Sequence, residues 1–278
     1  MAGEASWETS AAAEEGAVEA PTFDTSVAHI ARVYNYWLGG KENYAADRAA
    51  GDRTMAEFPG IVASARGNRA FLRRAVRFLV AEAGIRQFLD VGTGIPSSDN
   101  THEVAQSLAP HSRIVYVDND PVVLAHARAL LTSTAEGATD YLDADMRKPG
   151  PILAGAAETL DFSRPVAIML FAVLQLLGDD DEPYRVVSDL LAAVPPGSYL
   201  ALSHPTSDLQ PGQVTAMVSQ LNNLVAEKVT TRSQDQVARF FTGLELVEPG
   251  LVNVSEWRPD AGSAQPPAAL WVGVARKP

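Results

Sequence analysis

Cysteine is absent from all 278 residues. That excludes disulfides, a thiolate nucleophile and cysteine-ligated zinc or iron–sulfur sites. No apolar run approaches the roughly 18 residues that a membrane-spanning helix needs, so no membrane association is expected. Five scattered histidines without paired spacing give no zinc pattern. The N-terminus lacks a basic segment ahead of an apolar core, so it does not read as a secretory signal, and a cytoplasmic protein is expected. Basic residues are few: 22 Lys and Arg stand against 34 Asp and Glu, a formal net charge of −12. A phosphate backbone would meet net repulsion, and no nucleic-acid partner is expected. Six acids (Glu4, Glu8, Glu14, Glu15, Glu19 and Asp24) precede the first basic residue, Arg32.

What is present begins at Gln87-Phe88-Leu89-Asp90-Val91-Gly92-Thr93-Gly94. An apolar strand runs into an acid and then a Gly-x-Gly turn, where a Cβ would obstruct either the sharp turn or the approach of a ligand. A second strand, Ile114 to Val117, ends in Asp118-Asn119-Asp120, and a third segment ends in Asp143-Ala144-Asp145. Three strands ending in carboxylates at nearly even spacing describe the rim of a nucleotide-type site in a doubly wound sheet. The third glycine of a dinucleotide fingerprint is replaced by Ser97, and no Gly-Lys-Ser/Thr follows. The ligand is therefore read as a nucleoside without a pyrophosphate. Asp118 suits a ribose diol, because a carboxylate can accept from both hydroxyls. S-adenosyl-L-methionine fits this description best. A nicotinamide oxidoreductase is the weaker reading, and a regulatory module that binds the cofactor without transfer stays open. With no cysteine, radical use of the cofactor is excluded, as is base methylation through a covalent cysteine adduct.

Asp90-Val-Gly-Thr-Gly resembles the first motif of class I S-adenosylmethionine-dependent methyltransferases, Asp118 their second-strand acid and Asp145-Met146 their adenine-edge motif. From about Thr25 the chain resembles one largely uncharacterised bacterial S-adenosyl methyltransferase family, through Ala31-Arg-Val-Tyr-Asn-Tyr-Trp-Leu-Gly-Gly-Lys41, Ala65-Arg-Gly-Asn-Arg69, Val115-Tyr-Val-Asp-Asn-Asp-Pro121 and Trp257-Arg-Pro-Asp260. The resemblance implies an α/β, Rossmann-like doubly wound, mostly parallel seven-stranded sheet with an antiparallel C-terminal hairpin. It implies transfer of a methyl group to a small-molecule acceptor at O, N or C, with S-adenosyl-L-homocysteine as product. Asp90, Gly92, Thr93 and Gly94 would hold the amino-acid end, and Asp118 with Asn119 the ribose. Asp145 would meet the adenine amino group, Met146 its ring, and Phe171 the methionine portion. Asn35 stands where the family is expected to have Asp, Gln175 where His is expected, and Gly67 where a larger residue such as Ala is usual. No acid–base role is carried over at the first two positions.

Three segments are expected along the chain: a disordered acidic tail over 1–24, a helical cap over 25–82 and the sheet domain over 83–278. Within the cap, Ile30, Val33, Tyr34 and Trp37 recur at helical spacing before the stop at Gly39-Gly40. Further helices are read over 41–56 and 64–81. Tyr34 and Tyr36, two apart on a helix, cannot both face one core; one of them, with Asn43, is expected to line the cofactor mouth. Arg66, Arg69, Arg73, Arg74 and Arg77 form a basic cluster expected mostly to pair with local acids, with Arg66 or Arg69 reaching the cofactor carboxylate. His204, just past the fifth strand, is the candidate general base, although a loop role is preferred. His102 is read as structural, and Asp179 to Glu182 as an exposed helix start.

Overall fold

The computed structural model describes residues 24–130, 132–260, 262 and 268–278. Apart from Asp24, the expected acidic tail lies outside them. Five parallel strands form the centre: β1 (Gln87–Val91), β2 (Arg113–Asp118), β3 (Ala138–Asp143), β4 (Ala167–Phe171) and β5 (Tyr199–Pro205). Three more, β6 (Glu245–Leu246), β7 (Val252–Asn253) and β8 (Leu270–Arg276), complete the sheet in the order β3-β2-β1-β4-β5-β8-β6. The direction of winding reverses between β1 and β4, and such a switch point opens a crevice at the strands' carboxyl ends.

Seven strands are expected from the sequence, and eight are present among the described residues. The arm read as one half of a terminal hairpin is broken in two. β6 pairs with Arg276 and Ala275, and β7 with Val272 and Trp271, both antiparallel to β8. Since β5 occupies the other edge of β8, the two short strands share one position.

Nine helices are seen among the described residues: α1 (Ile30–Trp37), α2 (Ala45–Glu57), α3 (Ile61–Ala81), α4 (Thr101–Leu108), α5 (Pro121–Leu130), α6 (Pro149–Ala156), α7 (Pro183–Ala192), α8 (Pro211–Leu221) and α9 (Gln234–Ala238). Local signals explain several of their ends. The Asp120 carboxylate accepts from Val122 N–H at 2.8 Å at the start of α5, where Pro121 needs no donor partner. Ser233 and Gln236 form the capping box read from the sequence. Gly39, at φ +82°, stops α1.

Alternation along the strands builds two cores. Phe88, Ile114, Ala167 and Ala201 pack against the second half of α3, α4 and Trp257. Leu89, Val115, Ile168 and Leu200 pack against α6, α7 and Phe240–Phe241. A third core stands over the strand ends: Val33, Trp37, Ala50, Phe58 and Ala65 meet Val214, Met217 and Leu221 of α8. The helices read as a cap thus do not close on themselves. They share α8, more than a hundred residues downstream, and α3 belongs to both the cap core and the sheet.

Candidate active site

The crevice at the carboxyl ends of β1 to β4 holds a cavity of about 220 Å³ roofed by α1, α3 and α8. Asp90, Gly92, Thr93, Gly94, Asp118, Asn119, Asp145, Met146, Phe171, Tyr34 and Arg69 all line it. The turn after β1 is held without help from side-chain size. Gly92 and Gly94 adopt φ +75° and +66°, in the left-handed region that favours glycine. A Cβ on Gly92 would stand 2.0 Å from Val173 Cγ2, whereas one on Gly94 would meet no atom within 4 Å. The first glycine makes room for protein, and the second leaves its backbone bare.

Two carboxylates stand here, Asp90 buried and Asp118 half-buried. Asp90 Oδ2 accepts from the Thr101 hydroxyl at 2.6 Å. Burial pushes its carboxyl up to about 6, against the opposing pull of Thr101 and Arg69. Asp118 accepts from Gly94 N–H at 2.8 Å and from Asp120 N–H at 3.0 Å, so it also organises the glycine turn. Burial raises its pKa as well, opposed by those two backbone donors and by the charge of His29. Arg69 donates to the Ser98 and Asp99 carbonyls at 2.8 and 2.9 Å, while its buried Nε has no partner. Asp145 caps its own turn by accepting from Arg147 N–H at 2.9 Å.

The roof is wired to the sheet by one chain of hydrogen bonds. Ala172 N–H donates to Ser203 Oγ, whose hydroxyl donates to Asn68 Oδ1 at 2.6 Å. Asn68 Nδ2 donates to the Tyr34 hydroxyl, which donates to the Ala65 carbonyl, each at 3.0 Å. Ala172 itself, directly after β4, has φ +48°, a strained conformation for an L-residue.

Three expected site residues are not on this cavity. Tyr36 points away, donating to Asp52 Oδ1 at 2.8 Å. Two residues along a helix turn a side chain by about 200°, so with Tyr34 inward Tyr36 faces out. Asn43 holds the turn after α1, donating to Asn35 Oδ1 and the Gly40 carbonyl. Asn35 also accepts from Glu42 N–H, so it too is a turn residue. His204, read as the candidate general base, does not reach the cavity. It lies within β5, fully buried, with Nδ1 2.8 Å from the Pro205 carbonyl and Nε2 2.9 Å from Arg232 Nη1. The carbonyl can only accept and the guanidinium can only donate, so the ring is neutral with its proton on Nδ1. Burial pushes its pKa down to about 3.

The basic cluster divides by position along α3. Arg73 and Arg77 pair with Asp99 and Asp260, but Arg74 is buried and donates to the Trp257 and Val254 carbonyls. His102 is structural: its Nδ1 and its backbone N–H both meet the Tyr116 hydroxyl at 2.8 Å. Among the described residues there is no metal-binding cluster and no helix long and apolar enough to cross a membrane.

Sequence reading missed several lining residues: His29, Ile30, Glu227, and Val214, Met217, Val218 and Leu221 of α8. The α8 set was available. These four recur at i, i+3, i+4 and i+7 behind Pro211 at N1, the same pattern that marks α1. His29 and Glu227 carry no local pattern, because only the fold brings them together.

The residues present fit S-adenosylmethionine. A bare glycine backbone, an acid at each of three strand ends, an unpartnered guanidinium nitrogen and the apolar side chain of Met146 match a nucleoside joined to an amino acid. The family model described as S-adenosyl methyltransferase matches residues 16–278. A crystal structure of a DUF574 family protein from Streptomyces avermitilis is 46% identical, with a TM-score of 0.88 over 92% of this chain and 99% of that one. One from Thermobifida fusca, provisionally assigned as a methyltransferase, is 42% identical, with a TM-score of 0.84 over 91% of this chain and 96% of that one. No curated protein matches. Crevice chemistry, family match and these relatives agree: the chain belongs to the S-adenosyl methyltransferase family and is a methyltransferase that uses S-adenosylmethionine.

Proposed function

We propose that this chain methylates a small, largely apolar acceptor at a nucleophile that needs no enzymic base. The observation that carries this reading is the lining of the roof half of the cavity. Ile30, Trp37, Phe58, Val214, Met217 and Leu221 stand there, a lining suited to a lipophilic molecule. Gln175 is the polar exception. Its amide nitrogen donates to the Ala172 carbonyl, which fixes the amide's orientation, and its buried Oε1 has no partner. An acceptor bearing an N–H or O–H would satisfy that oxygen, so such a molecule is favoured over a hydrocarbon.

In this reading Asp118 holds the ribose, Asp145 the adenine amino group and Arg69 the carboxylate of the cofactor, while Met146 and Phe171 pack on its apolar surfaces. The cofactor supplies a methyl group already activated by its sulfonium. The protein's task is to orient the acceptor and exclude water. The titratable groups on the cavity support this division. His29 is held protonated, with its pKa at about 9, and burial pushes the Tyr34 hydroxyl up. Asp90, at about 6, lies against the glycine turn and not in the roof. With a formal net charge of −12, the chain is a poor match for a nucleic-acid acceptor.

Two experiments test the reading. Asp118→Ala is expected to remove charge-assisted hydrogen bonds of about 1.5–3 kcal/mol each, roughly ten- to hundredfold per bond in affinity for S-adenosylhomocysteine. Calorimetry showing unchanged affinity in a folded mutant contradicts the ribose assignment. Separately, labelled methyl transfer should be measured against hydrophobic phenols and amines, bulk tRNA and unfolded protein. Label entering only the small molecules is the expected result. Label entering tRNA or protein instead overturns the acceptor assignment and leaves the cofactor site standing.

A further inference from the structure

His29 sits where three parts of the fold meet. It directly precedes α1, at its N-cap, and comes from the roof. Its Nδ1 is 2.9 Å from Asp120 Oδ2, and its Nε2 is 2.8 Å from Glu227 Oε1 in the segment after α8. Asp120 Oδ2 is buried and has no hydrogen-bond partner, so the ion pair with the imidazole is what answers its charge. Ala31 N–H also approaches Nδ1, but at 3.3 Å; the shorter contact with a buried carboxylate decides that the nitrogen carries a proton. Asp120 N–H in turn donates to Asp118 Oδ1 at 3.0 Å. A path of three contacts therefore runs from Glu227 through His29 and Asp120 to the acid at the end of β2. The strap is reinforced beside it: Ala226 N–H donates to the Ala28 carbonyl, and Ala28 bridges to Val225.

We propose that His29 is a positioning residue for the cofactor, a cation delivered by the roof that, through Asp120, holds Asp118 in place for the ribose. This rests on the assignment of Asp118 to the ribose. Burial pushes the Asp118 carboxyl toward its neutral form, which accepts less well from two hydroxyls. The N–H groups of Asp120 and Gly94 oppose that most, and the His29 charge adds to them; His29 also pairs with Asp120, whose N–H is one of those two donors. Closure of the roof and completion of the ribose site are then one event, and the protein binds its cofactor best when α1, the β2–α5 turn and the segment after α8 are clasped.

The groups around the imidazole fix the sign of its pH dependence. It faces Asp120 from the β2–α5 turn and Glu227 from beyond α8. Its backbone N–H donates to Asp47 of α2, which is itself paired with Arg32 of α1. Burial pulls the His29 pKa down, but the two carboxylates outweigh it and raise it to about 9. A raised histidine contributes its stabilisation fully below the unfolded value near 6.5 and loses it as pH rises through 9. Cofactor affinity depends on the protonation of His29 in the folded chain, so it should fall only as pH passes through about 9.

The test is calorimetric binding of S-adenosylhomocysteine between pH 6.5 and 10, repeated with 5′-methylthioadenosine. The second ligand keeps the ribose and lacks a titrating amine. Parent affinity for both should hold to about pH 8 and fall through about 9. His29→Gln should bind roughly tenfold more weakly at pH 7 and show no inflection near 9, while His29→Lys, which restores a cation, should recover part of the loss. Glu227→Gln guards against misfolding of the first variant: it leaves the histidine in place and should move the inflection to lower pH. If His29→Gln matches the parent in affinity and profile, or Glu227→Gln leaves the inflection unmoved, the inference is overturned. If Asp118→Ala binds as the parent does, it is the ribose assignment that fails.

Discussion

Replacing Arg232 by methionine is expected to cost roughly 2–5 kcal/mol of stability, although its ion pair alone contributes little. Its partner in that pair, Asp179, has a side chain 82% exposed, and exposed pairs are worth at most about 1 kcal/mol. What the substitution removes is the donor set. The Arg232 guanidinium donates to the carbonyls of Leu174 and Leu177 and to His204 Nε2, at 3.1, 2.9 and 2.9 Å. Methionine fills much of the volume and leaves three acceptors unanswered, each at about 1–3 kcal/mol when still buried. The segment between Leu174 and Leu177 carries Gln175 into the cavity, so the loss should also loosen the acceptor half of the site. Urea unfolding of the two proteins measures the cost. A change within about 0.5 kcal/mol, as for an ordinary surface substitution, would show that water replaces the guanidinium.

Gly92→Ala should damage stability and cofactor binding together. At φ +75° an L-residue costs about 1–2 kcal/mol. The new methyl also falls 2.0 Å from Cγ2 of Val173, a buried β-branched side chain with little rotamer freedom. Overpacking of that kind costs about 1–3 kcal/mol more. Because the turn carries the Gly94 N–H that Asp118 accepts, any shift to relieve the contact displaces the cofactor side of the crevice. Affinity for S-adenosylhomocysteine should fall at least about tenfold, equivalent to 1.4 kcal/mol. Trimming Val173 to alanine in the same chain should restore part of it, since the two residues are in contact and their effects should not add. A single mutant that melts and binds as the parent does would mean that the turn tolerates a side chain.

The two glycines and the three acidic strand ends were legible in the sequence for one reason. Each lies at a strand end or in the turn directly after it, so neighbouring residues carry the signal. The same holds for the capping box at Ser233 and the Asp120-Pro121 start of α5. His204 was misplaced because its position at a strand end is local, whereas its burial against Arg232, 28 residues away, is not. β5 runs on through Pro205, and two further residues of strand were enough to take the imidazole out of the rim. Tyr34 and Tyr36 were correctly recognised as exclusive, but which one faced inward depended on Asn68 and Ala65. The roof over the site depended on α8, whose helical spacing was readable and whose partners were not. Composition could not say that a helix from the far side of β5 would complete a core begun by α1.

A crystal structure of the protein with S-adenosylhomocysteine would locate the ligand against these residues. The ribose hydroxyls should lie on Asp118, the adenine beside Asp145 and Met146, and the carboxylate toward Arg69. The sulfur should face the apolar chamber under α8, near Gln175. A ligand whose ribose lies away from Asp118, or whose sulfur faces solvent rather than that chamber, would contradict these assignments.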